Sequence, residues 1–255
     1  MITAGIDIGA KTIKVVLVED GRTLAKAIVP AGIDTVAATE QVLDEALASA
    51  GLDKEKVDRF TATGTGRKEC PFTEEEITEV GAAAKGINHI LKSCRAVIDV
   101  GAEEGRTVRC DENGKVIDFA FNEKCAAGAG AFAEGMARAL EVPLEELGPL
   151  SLKSERAVPM NAQCAVFAES EVVTLIHAKT PREDIARAVL DAVASRIISM
   201  VRKVGFEKDI ALIGGMALNP GFVVAMKRGL EMDMYVPEDP EYIGALGAAL
   251  AAAET

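Results

Sequence analysis

The sequence contains no tryptophan and only two tyrosines and two histidines among its 255 residues, and it has no uninterrupted apolar run of 18 residues. Because a helix needs about 20 apolar residues to cross a bilayer, we expect no membrane span and no membrane partner. Residues 2–9 form a mostly apolar run with no basic segment before it, so we expect no signal peptide. These absences predict a cytoplasmic protein.

Basic residues are also scarce relative to acidic ones, and the formal net charge is −12. Nucleic acids and anionic membranes select proteins with basic patches, so neither is an expected partner. The five cysteines include no Cys-x-x-Cys pair, and their odd number argues against a disulfide framework. His89 and His177 do not lie at zinc-ligand spacing from the cysteines.

One cysteine, Cys125, directly precedes a loop of small residues in the middle of the chain. Gly128 and Gly130 in this loop allow close approach of the backbone to a ligand. The apolar residues that follow recur at helical spacing, which predicts a helix with Cys125 at its N-terminus. Those apolar residues are Phe132, Met136 and Leu140.

A second cysteine, Cys164, stands at the start of another predicted helix. Helix N-termini favour thiolates through the helix dipole and the unpaired N–H groups. Two such thiols are half of the four that an iron–sulfur cluster usually takes, and a dimer would supply the rest. The alternative is that both cysteines are ordinary buried residues. One apolar face of this helix is predicted from Val166, Val173 and Ile176.

An internal duplication organises the chain. Residues 98–102 repeat residues 6–10 at an offset of 92, which places Asp7 and Asp99 at equivalent positions. The flanking strands and the turn between them are repeated as well. The pattern therefore predicts an α/β protein of two similar lobes, the first comprising 1–95 plus 237–255 and the second comprising 96–236.

Local signals predict further elements. Asp34 and Gly51 have the features of an N-cap and a C-cap of one helix. Thr73 and Glu76 form a capping-box pattern, which predicts a helix from there to about residue 92. The remaining predicted elements are a helix at 182–204, strands at 57–62, 208–213 and 232–236, and a last helix at 242–253.

The Asp-x-Gly pattern, used twice, is typical of a nucleotide-binding protein. The glycine allows backbone N–H groups to wrap phosphate oxygens, and Asp7 and Asp99 are placed to hold hydrated Mg²⁺. Each element alone is equally compatible with an ordinary turn. The predicted ligands of ATP are Gly9, Ala10, Lys11 and Thr12 in the first loop, Gly101, Ala102, Glu103 and Glu104 in the second, and Gly214, Gly215 and Met216 beside the adenosine.

These motifs together resemble a known family. Their order is similar to that of the ATPase fold of actin, Hsp70, hexokinase and acetate kinase. Four segments resemble the ATP-dependent activators of 2-hydroxyacyl-CoA dehydratases and the ATPase subunits of benzoyl-CoA reductases. The segments are residues 5–9 (GIDIG), 124–130 (KCAAGAG), 164–171 (CAVFAESE) and 214–216 (GGM).

The resemblance implies a homodimer that holds one [4Fe–4S] cluster between its subunits, with Cys125 and Cys164 of each chain as ligands. It also implies that ATP hydrolysis drives a low-potential electron from the cluster into a partner iron–sulfur protein. A ferredoxin or flavodoxin would be the upstream electron donor. Thr63–Arg67 matches a loop of the same family, although an ordinary turn accounts for it too.

The chain departs from the family pattern in both phosphate loops. Residues 101–104 read Gly-Ala-Glu-Glu where Gly-Gly-Gln-Asp is typical, and Ala10-Lys11 stands where Ser-Thr is common. Glu103 is a candidate for orienting the attacking water, but a second carboxylate beside the γ-phosphate repels it unless Mg²⁺ or Lys11 compensates. Cys70, Cys94 and Cys110 match nothing in the family pattern, and a structural role is expected for them.

Two other functions fit the same fold. One is a small-molecule kinase in which the cysteines are core residues, and the other is a regulatory or structural ATPase without redox chemistry. The fold does not choose among these functions. The pair of cysteines at helix starts is the feature that favours the electron-transferring ATPase.

Overall fold

The computed structural model describes residues 1–73, 75–122, 130–160, 164–206 and 208–254. Its strands are β1 (Ile2–Ile8), β2 (Thr12–Glu19), β3 (Arg22–Pro30), β4 (Arg59–Thr63), β5 (Ala96–Val100), β6 (Gly105–Cys110), β7 (Val116–Phe121) and β8 (Ile210–Ile213). Its α-helices are α1 (Thr35–Ala50), α2 (Glu79–Ile90), α3 (Gly130–Ala139), α4 (Leu144–Ser151), α5 (Ala165–His177), α6 (Arg182–Val204), α7 (Pro220–Leu230) and α8 (Ile243–Ala252).

The strands form two four-stranded sheets of the same design. Their orders are β3-β2-β1-β4 and β7-β6-β5-β8, so each sheet has three consecutive strands and a fourth beside the first of them. In the first sheet β1 is antiparallel to β2 and parallel to β4. The predicted duplication of three strands is confirmed, and the strands predicted at 57–62 and 208–213 are present as β4 and β8, the fourth strand of each sheet.

One compact unit comprises Met1–Val97, Val108–Asp118 and Glu241–Thr255. Its main core lies between the first sheet and α1, where alternating residues of β1 and β2 meet the apolar face of the helix. On the opposite face of the sheet, α8 packs against β1, and the Thr3 hydroxyl donates a 2.8 Å hydrogen bond to the Ala249 carbonyl. The sheet is therefore covered by a helix on both faces.

The second compact unit comprises Ile98–Thr107 and Phe119–Pro240. Its longest helix, α6, packs against α3, α4 and α7 and buries one side along most of its length. Among the described residues, no helix is both long and apolar enough to cross a membrane. The lobe boundaries given by the sequence stay a prediction.

The capping residues predicted for α1 are confirmed. The Asp34 side chain accepts a 3.0 Å hydrogen bond from the backbone N–H of Ala37, and Gly51 ends the helix in the left-handed conformation at φ 65°. Glycine is favoured at this position because it adopts a positive φ without steric cost. The long helix α6 also has the predicted bounds.

The predicted start of α2 is wrong. Ala62 of β4 accepts from the N–H of Ile77 and donates to the carbonyl of Glu75, so this segment is extended against the strand. The helix begins only at Glu79, where the Thr78 side chain accepts from Gly81 N–H. Long-range pairing with β4 therefore overrides the local capping box. The predicted strand at 232–236 is reduced to one β-bridge between Ala211 and Tyr235.

A buried carboxylate, Asp184, anchors the chain segment that leads towards Cys164. Only 2% of Asp184 is exposed, and its side chain accepts hydrogen bonds from the Ser154 hydroxyl at 2.8 Å and the Arg156 N–H at 3.3 Å. The hydrogen bond from Ser154 is the main cause of a lowered pKa for this carboxyl. Asp184 thus ties the start of α6 to the segment after α4.

We expect Gly247→Ala to lower the stability of the first unit by about 1–3 kcal/mol or more. A Cβ on Gly247 would overlap the backbone of Ala82 in α2, which cannot move away as a flexible side chain would. Urea denaturation measures the effect. Gly135→Ala in α3 is the control, because its Cβ would meet nothing closer than the Arg138 guanidinium at 3.8 Å. Equal denaturation midpoints for the two variants would contradict this packing.

Asp184 predicts an acid-dependent loss of stability. Its pKa is lowered on folding, so the ionised carboxyl stabilises the protein fully above about pH 5, and this contribution is lost as the pH falls through about 4 and below. Melting temperatures between pH 3 and 7 should therefore fall more steeply for the wild type than for Asp184→Asn. Glu155→Gln, at an exposed neighbouring position, should retain the wild-type slope. Parallel curves for the wild type and Asp184→Asn would refute the assignment.

Candidate functional site

In the first unit, Asp7 lies near the end of β1 between two polar side chains of neighbouring strands. It is in register with Lys14 of β2 and with Thr63 of β4. The Lys14 Nζ atom lies 3.4 Å from Asp7 Oδ2, and these side chains are 13% and 19% exposed. Because residues in register share a sheet face, Lys14, Asp7 and Thr63 form a row across three strands.

The predicted first phosphate loop is the turn between β1 and β2. The Gly9 N–H donates a 3.2 Å hydrogen bond to the Thr12 carbonyl, which closes the turn. Ala10 and Lys11 lie at its exposed tip, and Gly9 and Thr12 are half-buried. The turn thus presents exposed residues three and four positions after Asp7.

The second unit repeats this arrangement. Asp99 of β5 lies 3.3 Å from the Arg106 Nη1 atom, and the Gly101 N–H donates a 2.9 Å hydrogen bond to the Glu104 carbonyl. Lys14 and Arg106 each follow their aspartate by seven residues and are related by the same offset of 92. The site prediction missed both cations, although the repeated spacing was a signal for them.

The two acidic residues of the second loop differ in their surroundings. The Glu104 carboxylate lies 2.9 Å from Arg106 Nη2, so the one guanidinium neutralises both Glu104 and Asp99. Glu103 is exposed. Arg106 therefore compensates the charges of Glu104 and Asp99, and the compensation of Glu103 by Mg²⁺ or Lys11 stays a prediction.

A glycine with positive φ abuts each aspartate. Gly64 follows β4 with φ 90°, and Gly214 follows β8 with φ 84°. A Cβ on Gly64 would lie 2.6 Å from Asp7 Oδ1, and one on Gly214 would lie 2.5 Å from Asp99 Oδ1. Both positions require glycine for conformation and for space. The site prediction included Gly214 but not Gly64.

The turn that contains Gly64 is held by an arginine. The Arg67 guanidinium donates a 3.0 Å hydrogen bond to the Gly64 carbonyl and lies 3.3 Å from Glu79 at the start of α2. The Gly66 N–H also donates to the Ile8 carbonyl at 2.9 Å. This family-like loop is therefore fixed against the end of β1.

The predicted adenosine-binding residues follow β8. Among the described residues, no atom beyond the adjacent ones lies within 4 Å of a Cβ placed on Gly215, whereas Met216 is only 6% exposed. The Met216 sulfur would lie 3.5 Å from a Cβ on Gly130, the first residue of α3. Met216 thus packs towards the start of that helix.

The start of α3 is hydrogen-bonded to the predicted second phosphate loop. The Gly130 N–H donates to the Gly101 carbonyl at 2.9 Å, and the Ala131 N–H donates to the Ala102 carbonyl at 2.7 Å. Two of the helix N–H groups that usually lack a partner are thereby satisfied by the loop. The predicted helical spacing is confirmed, with Phe132, Met136 and Leu140 all fully buried.

The structure places Cys164 at the N-cap of α5, as predicted, and leaves its side chain half-buried. Cys125 lies outside the described residues. Within the described part of the chain, no group of three or more His, Cys, Asp or Glu side chains could hold a metal ion. Of the two predicted cluster ligands, Cys164 therefore lies in the described part of the chain and Cys125 does not.

The other cysteines have the properties of core residues. Cys94 and Cys110 are fully buried, and Cys70 is half-buried. Burial raises the pKa of the Cys70 and Cys110 thiols, which disfavours the thiolate that a metal would need. This agrees with the structural role expected for them.

The apolar face predicted for α5 is present but lies on the surface. Val166, Val173 and Ile176 are 69%, 43% and 39% exposed, and Phe167 beside them is 74% exposed. The buried positions of the helix are Ala168 and Val172 instead. Small side chains face the core here because α3 packs closely against α5.

Comparison with known proteins agrees with these features. Residues 4–252 match the model of the BadF/BadG/BcrA/BcrD ATPase family. The chain is 38% identical to the activator of lactoyl-CoA dehydratase from Anaerotignum propionicum, over 100% of this chain and 98% of that protein.

Two solved structures are similar over the whole chain. Component A of the Acidaminococcus fermentans (R)-2-hydroxyglutaryl-CoA dehydratase superposes with a TM-score of 0.95 at 35% identity, covering 100% of this chain and 98% of that one. The activator of the Clostridium difficile 2-hydroxyisocaproyl-CoA dehydratase, solved with bound ADPNP, gives 0.94 at 35% identity, with coverages of 100% and 95%. The predicted two-lobed α/β ATPase fold is confirmed, and the chain is an ATPase that belongs to the BadF/BadG/BcrA/BcrD family.

Proposed function

We propose that this ATPase delivers low-potential electrons from a [4Fe–4S] cluster to a partner iron–sulfur protein. The observation that carries the proposal is the position of Cys164, half-buried at the N-cap of α5, in a chain whose relatives are named as dehydratase activators. A half-buried thiol at a helix N-terminus is well placed to act as a thiolate ligand. Cys125 of the same chain is the second proposed ligand.

The residues around Asp7 and Asp99 fit a magnesium nucleotide. Each carboxylate stands near a strand end beside a turn that a backbone hydrogen bond closes, and each is crowded by a glycine that no larger residue could replace. Bound Mg²⁺ would neutralise phosphate charge. Asp7 and Asp99 would hold its hydration shell, and Lys14 and Arg106 would limit the repulsion between carboxylates and phosphates.

Glu103 is the proposed residue for orienting the attacking water. It is exposed beside the Gly101–Ala102 turn, whereas Glu104 is engaged by Arg106. An unconstrained carboxylate next to the loop is better suited to bind water than one already paired with a guanidinium. Gly214 and Gly215 are the proposed contacts for the adenosine, together with Met216.

Coupling between ATP and the cluster is proposed to run through α3. This helix is hydrogen-bonded at its start to the carbonyls of Gly101 and Ala102, and it packs on α5, which begins at Cys164. A shift of the second phosphate loop would therefore move both helices that follow the proposed ligands. Coupling further requires that ATP and ADP favour different positions of the loop.

The exposed apolar face of α5 supports the proposed homodimer. Two thiols per chain give four ligands in a symmetric pair, and Val166 and Phe167, two and three residues after Cys164, would be covered by the partner subunit. The proposed electron acceptor is an iron–sulfur protein of the 2-hydroxyacyl-CoA dehydratase or benzoyl-CoA reductase class, and the proposed donor is a ferredoxin or flavodoxin. We place this reaction in the cytoplasm.

The proposed nucleotide site predicts that Asp7→Asn and Asp99→Asn each lower ATP turnover by about 10²-fold or more while the cluster stays bound. The reason is that both carboxylates act on Mg²⁺ and phosphate and not on iron. Steady-state phosphate release and iron content are the measurements. Asp58→Asn is the matched control, because Asp58 accepts from Ile2 N–H at the opposite end of β1. Wild-type turnover in both site variants would exclude this site.

The proposed cluster predicts that anaerobically purified protein is brown, with a broad absorbance at about 400 nm. Cys125→Ser or Cys164→Ser should abolish or severely weaken the cluster, since one substitution per chain removes two of four ligands in the dimer. Cys70→Ser is the control at another half-buried thiol and should keep wild-type iron and sulfide. A colourless, iron-free wild-type preparation would favour a kinase of the same fold, and full iron in Cys164→Ser would remove that residue from the site.

A further inference from the structure

The row formed by Lys14, Asp7 and Thr63 faces α8. Thr3 and Gly5, which precede Asp7 on the same face of β1, contact this helix at Ala249 and Ala245 respectively. Asp7 follows further along the strand and lies beside Gly244 of α8. A Cβ on Gly244 would lie 3.5 Å from Asp7 Oδ2. The first turn of α8 therefore lies over the row.

This end of α8 is favourable for anions. The helix has ten residues, Ile243–Ala252, and its N-cap residue Tyr242 makes no side-chain hydrogen bond to the helix start. The helix dipole favours negative charge at the start of a helix. Lys14 adds a positive side chain next to Asp7, on the strand opposite to that of Thr63. The surroundings of the row thus suit a phosphate group with its hydrated cation.

Thr63 is the member of the row that the protein itself leaves unsatisfied. The residue is 1% exposed, and among the described residues its Oγ1 atom has no hydrogen-bond partner. Thr3 on the same sheet face is equally buried, but its hydroxyl donates to the Ala249 carbonyl at 2.8 Å. A buried hydroxyl without a partner costs stability, which valine would avoid at nearly the same volume. A bound ligand would explain why the hydroxyl is present.

We propose that Thr63 is a ligand-binding residue of the ATPase site, where its hydroxyl hydrogen-bonds an oxygen of the hydrated Mg²⁺–triphosphate held by Asp7. This inference rests on the proposed nucleotide site and adds a residue to it. Asp7 and Thr63 are nearest neighbours on parallel strands, so one oxygen can reach both side chains. Gly64, directly after Thr63, carries no Cβ that would crowd Asp7 Oδ1.

The test uses Thr63→Val, which keeps the shape and removes the hydroxyl, and Thr63→Ser, which keeps the hydroxyl. We expect Thr63→Val to lower kcat/KM for ATP by about tenfold or more and to raise the Mg²⁺ concentration needed for half-maximal rate. Thr63→Ser should retain most of the activity. Without nucleotide, Thr63→Val should melt at or above the wild-type temperature, because no internal hydrogen bond is lost.

Thr3→Val is the matched control. It removes a hydroxyl that is bonded within the protein, so it should lower the melting temperature by about 2–4 °C and leave kcat/KM unchanged. Thr63→Ala should lower kcat/KM for ATP as Thr63→Val does. It takes the place of Thr63→Val in the test if the valine variant does not fold.

The outcomes separate this inference from the proposed function. Wild-type kcat/KM and Mg²⁺ dependence in both Thr63→Val and Thr63→Ala would overturn the role of Thr63 while leaving the ATPase site intact. Equal losses in Thr63→Ser and Thr63→Val would also overturn it, because the hydroxyl would then not be the active group. A wild-type protein without Mg²⁺-dependent ATP hydrolysis would overturn both the site and the inference.

Discussion

A carboxylate at the end of a central strand is the constraint on which both halves of this structure depend. Asp7 and Asp99 are largely shielded from solvent, and a carboxylate in that position needs a nearby cation and close-fitting backbone. Lys14 and Arg106 supply the cations. Gly64 and Gly214 supply the close backbone, because any side chain there would collide with the carboxylate. The same solution occurs twice, and each cation follows its aspartate by seven residues, as expected for a duplicated unit.

The second unit connects the proposed phosphate loop to the helix that begins after Cys164. The carbonyls of Gly101 and Ala102 receive the first N–H groups of α3, so the loop and the helix share hydrogen bonds and cannot move independently. The helix in turn packs on α5, whose N-cap is Cys164. Short, direct contacts of this kind transmit a small displacement without a flexible linker.

The apolar residues of α5 lie mainly on its exposed side and not in the core. Val166 and Phe167 are the most accessible of them, and the buried side holds Ala168 and Val172. Exposed apolar side chains next to the proposed ligand Cys164 are costly for an isolated chain. A second subunit, as in the proposed homodimer, would cover these side chains.

The sequence by itself determined β1 to β8, the turns, the duplication and the position of Cys164, because alternation, turn glycines and helix starts are local signals. It also predicted a strand at 232–236 that is only a β-bridge. It also singled out Asp7 and Asp99. Only the tertiary structure decided the extended path before α2, the outward orientation of α5, and the partners of Asp7. The physical reason is sequence separation: β4 pairs with β1 across more than 50 residues, and neither pattern nor propensity specifies which neighbour satisfies or covers a side chain. Thr63 is the clearest case, since its place beside Asp7 and its unsatisfied hydroxyl exist only once the two strands have paired.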